Sequence, residues 1–177
     1  QGVKTTIDNE GDVIVIGDFK DSIFMGEVNN ISSQDVYLNT TEQGVFIAKY
    51  NKVGVIQWAR AIQSTVLQGP IYARSVITDA DGNIYVVCDN SLTGFIELNK
   101  YNSEGDLIST LNVPVTPDQR LSDVKVDKYE NIYITGYFQG TLNLGPFTLS
   151  SPSYETGFVA KMDSTLNFVW AKDLTTT

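Results

Sequence analysis

The chain has 177 residues, 42% of them hydrophobic, with a formal net charge of −9, no histidine and one cysteine. That is enough apolar material for one domain with a sizeable core, while no single run approaches the roughly 20 residues of a bilayer helix. The acidic balance disfavours nucleic acid and anionic membrane, which need Lys and Arg to displace counterions; lack of histidine excludes a Ser-His-Asp or Cys-His nucleophilic site within the chain, and the lone cysteine excludes an internal disulfide.

In chain order, short runs rich in Val, Ile, Tyr, Phe and Thr alternate with Gly, Asn, Asp and Ser, and none sustains a helical period. Residues 3–7 and 13–19 read as strands joined at Asn9-Glu10-Gly11-Asp12. A long connection, 27–43, leads to a strand at 44–50, a turn at 51–54 and a strand at 55–61. The second unit gives strands at 74–78, 84–88, 94–101 and 107–113. Its turns, Asp81-Gly82-Asn83 and Glu104-Gly105-Asp106, supply the positive φ that tight hairpins need. Cys88 falls in the apolar run from Tyr85 and reads as a small buried hydrophobe. Residues 114–118 and Leu121-Ser122-Asp123 read as loop, because Pro114 and Pro117 interrupt a ladder. The third unit gives strands at 123–126, 132–138, 157–162 and 167–172.

The units repeat. Residues 7–19 align with 126–138 at an offset of 119, continuing from Met25-Gly26 to Leu144-Gly145. A degenerate copy at 78–87 lies between them. Residues 44–49 match 157–161, and Trp58-Ala59-Arg60 matches Trp170-Ala171-Lys172, with an offset of 112 at Ala48-Lys49 and Trp58. The step from 119 to 112 assigns seven extra residues to the 27–43 connection. Such a unit cannot bury its apolar face alone, so neighbours must stack. The expected fold is all-β: three four-stranded antiparallel blades of a β-propeller, in one domain over 1–177 with blades at about 1–63, 70–114 and 120–174.

The pattern carried by Asn131 to Phe138, Phe158 to Lys161 and Trp170 to Lys172 resembles the bacterial-type β-propeller repeat (SBBP) family. The second unit departs from it, with Cys88-Asp89 in place of the glycine after its second strand and Leu111 near the place of the tryptophan. The resemblance implies a propeller fold and a secreted, cell-surface or virion-surface location, and it transfers no active site. Three blades do not close a ring, since closed propellers hold about 4–8. The chain opens on Gln1 and shows no leader pattern, which reads as a processed or excised start. Three arrangements stay open: a piece of a longer propeller, half of a ring closed by association, or an open array on a partner.

Propeller ligands usually sit by the central channel, where first strands enter and second strands leave. Lys4, Arg74 and Asp123 hold the entries and Asp18, Asp89 and Tyr137 the exits. This set suits a sugar or peptide; the alternative is a solvated rim. Asp18 and Asp89 are also the candidate acid and base for glycoside chemistry. Asp79-Ala80-Asp81-Gly82-Asn83 resembles part of a calcium loop, but no bidentate Glu follows and all three copies sit at a first hairpin, so a turn is expected and no cofactor. Trp58 and Trp170 are expected to pack between blades rather than stack on sugars. The sequons at Asn30 and Asn39 both fall in the 27–43 connection. The expected function is a non-catalytic structural or adhesive segment of an extracellular, cell-surface or virion protein. Its partner would be a protein, a glycan or a second copy completing the ring, with no nucleic acid and no membrane insertion. The alternative is a carbohydrate-active enzyme or lectin on a propeller.

Overall fold

The computed structural model describes residues 3–26, 36–41, 43–62, 70–90, 95–116 and 118–174, without the side chains of 152 and 153. The described residues form antiparallel sheets and no helix, so none is long and apolar enough to cross a membrane. The first sheet joins β1 (Val3–Ile7), β2 (Val13–Phe19), β5 (Gly44–Tyr50) and β6 (Ile56–Ile62), and a separate hairpin joins β3 (Ser22–Met25) to β4 (Val36–Asn39). The second sheet runs β7 (Tyr72–Thr78), β8 (Ile84–Asn90), β9 (Phe95–Tyr101), β10 (Leu107–Pro114). The third runs β11 (Arg120–Val126), β12 (Ile132–Leu144), β13 (Phe147–Met162), β14 (Phe168–Asp173). The three first strands stand together, with β7 packed against both β1 and β11.

Several sequence expectations need correction. The 27–43 connection contains a strand, β4, whereas 27–35 and 42 lie outside the described residues, as does the Asn30 sequon. Its counterpart in the third sheet is an extension of β12 and β13 past Phe138, where Thr141 pairs with Ser150 and Asn143 with Thr148. Leu121 to Asp123 is strand, not loop: a bulge at Ser122 lets the ladder pass, with Leu121 opposite Gly136 and Asp123 opposite Thr135. Pro114 ends β10 opposite Phe95, a position that a residue without an N–H can hold at a strand end.

One turn is used six times. Oδ1 of Asp8, Asn51, Asp79, Asn102, Asp127 or Asp163 accepts the backbone N–H groups two and four residues on, at 2.7–3.1 Å. The fourth residue of each, Gly11, Gly54, Gly82, Gly105, Glu130 or Leu166, takes a positive φ. In a four-stranded meander the first and third connections share one end, so all six turns lie on one rim of the assembly.

The remaining carboxylate oxygen shows compensation between strands. Asp79 Oδ2 accepts from Asn83 Nδ2 at 2.9 Å and Tyr85 Oη at 3.1 Å, and Asp127 Oδ2 accepts from Asn131 and Tyr133 at 2.8 and 3.1 Å. Lys100 and Lys161, directly opposite these tyrosines, lie over their rings. In the first sheet Ile14 holds the tyrosine position and Asp12 the asparagine position. Lys49, opposite Ile14, turns to Asp8 at 2.8 Å and Asp12 at 3.4 Å instead. Burial opposes both charges, yet the bonds between them hold Asp8 below and Lys49 above their ordinary values.

Alternate residues of each second strand face different neighbours. Ile84, Val86 and Cys88 pack with the first sheet, on Ile14, Ile16, Val45 and Ile47. Tyr85 and Val87 pack with the third, on Val124, Ile132 and Ile134. The other face of the first sheet carries Phe19 against Phe46, edge-on at 6.3 Å, covered by Ile23, Met25, Val36 and Leu38 of the hairpin. The third sheet repeats this with Phe138 and Phe158 at 6.2 Å beneath Leu142, Leu144 and Leu149. In the second sheet, where no such hairpin is described and β8 and β9 are separated only by 91–94, the positions of the two phenylalanines hold Asn90 and Glu97.

Asp79→Ala is expected to destabilise the fold by about 2–4 kcal/mol, because it strands two backbone amides and the hydroxyl of a buried tyrosine. Asp79→Asn should recover most of the loss, since Asn51 and Asn102 hold the same turn. Urea midpoints at constant m measure both; equal losses for the two variants would refute the turn argument.

Candidate functional site

The candidate residues lie at the rim opposite the six turns. Arg74 occupies a bulge in β7, between the pairs Ala73–Cys88 and Ser75–Val87. The bulge sends its guanidinium to Asp89 on β8: Nε donates to Oδ2 at 2.6 Å and Nη2 to Oδ1 at 2.8 Å. The guanidinium also lies 5.8 Å from the Tyr72 ring. Asp89 is buried, and its bonds, assisted by Asp18 and Tyr137 nearby, raise the Arg74 pKa against the cost of burial.

Two further pairs reach between sheets. Oδ1 of Asp18, on β2, accepts the backbone N–H of Ala73 at 2.7 Å. Ser75 Oγ donates to Asp123 Oδ1 at 2.7 Å, and Lys125 holds the other Asp123 oxygen at 2.8 Å. Burial works against the Asp123 charge, but these partners and the Val124 amide lower its pKa overall.

Asp18 and Tyr137 therefore add to the field that Arg74 feels beside Asp89, while Asp123 is bonded to Ser75, the residue after Arg74. Lys4 takes no part: it is exposed on β1 opposite Ile16 and makes none of these bonds. Both the repeat and the register equate Lys4 with Ser75; the bulge at Arg74 lies one residue earlier, so Arg74 has no counterpart on β1. Ser75 and the Ala73 amide are the functional partners that sequence reasoning missed. Ser75 stands opposite Val87 as Asp123 stands opposite Thr135, a correspondence that the repeat offset gives, whereas the bond between Ser75 and Asp123 is not given by it.

The chemistry open to this group is narrow. Asp89 is a bidentate acceptor for a cation, and one Asp18 oxygen holds an amide; both carboxylates serve as hydrogen-bond acceptors here. No group of three or more His, Cys, Asp or Glu among the described residues could hold a metal ion. The Asp79 carboxylate, the calcium-loop candidate, is occupied by the turn, by Asn83 and by Tyr85. Cys88 is fully buried, and burial together with Glu97 raises its thiol pKa steeply, which keeps it unreactive.

No family model matches the chain, and no curated protein does. A solved structure, a protein of unknown function from Bacteroides caccae, is similar at 9% identity with a TM-score of 0.39, covering 96% of this chain and 72% of that one.

The turn rim offers a cleft of about 230 Å³ lined by Asp8, Glu10, Lys49, Asp81, Ser103 and Glu104. It lies below the roughly 300 Å³ at which small-molecule pockets begin. Across it, Asn9 Nδ2 donates to Ala80 O at 2.7 Å, and Trp58 Nε1 to Ser103 O at 3.0 Å, binding the first sheet to the second. Trp58 thus packs between sheets. Its counterpart in the second sheet is Ser109, opposite Lys100, rather than the expected Leu111.

The turn carboxylates make stability depend on acid. At Asp127, burial works against the charge, but bonds from Asn131, Tyr129 and Tyr133 bring its pKa down to about 2, and Asp8, Asp123 and Asp163 are also lowered. A carboxylate depressed in the folded state stabilises above its unfolded value, roughly 4, and loses that contribution as pH falls through the folded value. The urea midpoint is expected to hold near neutrality and fall from about pH 5 toward pH 2. Asp127→Asn, which preserves the turn, should flatten part of that fall; an unchanged acid limb would rule out Asp127 as a source.

Proposed function

We propose that the three sheets are blades of a β-propeller and that the chain is a non-catalytic, rigid segment of a structural or adhesive protein acting outside the cell or on a cell or virion surface. The observation that carries this reading is where the polar groups of the inner strands spend their bonds. Asp18 holds the next blade at Ala73, and Asp123 holds the preceding blade at Ser75. Arg74 and Asp89 neutralise each other within blade two. Groups committed in this way fix blade position.

Two features support the propeller reading. Each sheet ranks its strands in meander order, and the first strands stand side by side. The repeat resembles a propeller repeat found in surface proteins. In such a scaffold the blades set the spacing of the loops and the loops make the contacts. The β3–β4 hairpin is the most prominent loop element among the described residues, with Tyr37 61% exposed on it.

Offered a panel of chromogenic glycosides, the chain is expected to release no product. A turnover abolished by Asp18→Asn or Asp89→Asn would overturn the reading in favour of a glycan-active enzyme. A glycan array on the same protein then reports whether the display surface is a lectin.

A further inference from the structure

One column of side chains in the second sheet departs from the other two. On the first sheet Phe46 stands opposite Ala61 and Ala48 opposite Ala59. On the third, Phe158 stands opposite Asp173 and Ala160 opposite Ala171. The same positions of the second sheet hold Glu97 opposite Asn112 and Asn99 opposite Thr110. Glu97 and Asn99 are also directly opposite Cys88 and Val86 on β8. All four polar side chains therefore share the face that packs on Ile14, Ile16, Val45 and Ile47 of the first sheet. Glu97 and Asn99 are each only 3% exposed there.

Two atoms of this column lack a protein partner. Thr110 Oγ1 donates to Asn99 Oδ1 at 2.6 Å. Asn99 Nδ2 and Asn112 Oδ1 are buried, and no described residue bonds to either. Buried polar atoms in folded proteins are satisfied by other protein groups or by ordered water. Asn99 and Asn112 are diagonal neighbours across β9 and β10, roughly 7–8 Å apart at Cα, a gap that two asparagine side chains and one small molecule span.

The chemistry of that molecule follows from what is missing. An anion would satisfy the Asn99 donor, leave the Asn112 acceptor bare and stand beside the Glu97 carboxyl group. A cation would satisfy Asn112 alone, and no group of three or more acids among the described residues could hold a metal ion. Water accepts from one and donates to the other. Exchanging the two groups of the Asn99 amide keeps the bond to Thr110 and turns a bare donor into a bare acceptor, and water donates to both acceptors equally well. We propose that this column binds an internal water molecule, held by the Asn99 amide and Asn112 Oδ1, within the contact between the first and second sheets. The water ties β9 to β10 where the first and third sheets rely on phenylalanine and alanine.

A high-resolution crystal structure of the chain is expected to show one ordered water about 2.7–3.2 Å from both side chains. No density there, or a protein group bonded directly to either atom, overturns the proposal. Asn99→Ala and Asn112→Ala place in the second sheet the residues that the first sheet holds as Ala48 and Ala61. Each is expected to lower the urea midpoint at constant m, and the double variant should lose clearly less than the sum, because the first substitution already removes half of the bridge. Atoms left truly bare give the opposite result: alanine would then relieve an unpaired buried group and raise the midpoint. A raised midpoint or strictly additive losses would therefore overturn the water site.

Discussion

Each four-stranded sheet of this protein has apolar side chains on both faces, and each face must be covered. Alternation along β8 makes the constraint concrete, because Val86 and Val87, adjacent in the chain, belong to different cores and both are fully buried. Burying such side chains contributes roughly 1.5–3 kcal/mol each, so the second sheet is held mainly by its two neighbours. Between the sheets the polar bonds add orientation: an Asp18 oxygen on an amide and a serine on Asp123 fix how far one sheet slides along the next.

Beside the contacts between sheets, the chain supplies further cover of its own. The β3–β4 hairpin lies over Phe19 and Phe46, and the extension of β12 and β13 lies over Phe138 and Phe158. The second sheet changes the side chains instead, placing Asn90 and Glu97 at those positions, with Asn99 further along the same face. Insertion and composition thus vary together. The β3–β4 hairpin and the strand extension of the third sheet cover corresponding phenylalanine pairs, 6.3 and 6.2 Å apart.

The turns were legible in the sequence because their chemistry is local: an Asp or Asn accepts two amides, and a residue of positive φ follows three places later. Gly82 and Gly105 read as positive-φ positions, but nothing gives reason to expect Glu130 and Leu166 in the same conformation. The apolar runs were legible through alternation, and they placed twelve strands. The hairpin strands β3 and β4 are four residues each and too short to give a period. At the candidate site the acidic and basic residues could be read off, but their partners could not. The bulge at Arg74 is a property of how β7 meets β8, and it decides that Arg74 meets Asp89 while Ser75 meets Asp123.

The divergence of the repeats is therefore paired with changes elsewhere. Where Ile14 replaces a tyrosine, Lys49 takes over the turn carboxylate that Tyr85 and Tyr133 hold in the other sheets. Where Ser109 replaces a tryptophan, the turn that follows accepts Leu166, which is 6% exposed. Each substitution is matched by a partner one strand or one sheet away, so the sheets are not interchangeable. Exchanging the second and third would bring Trp58 onto Leu166 in place of Gly105 and lose the seat that the indole occupies. The order of the sheets is thus written into their contacts.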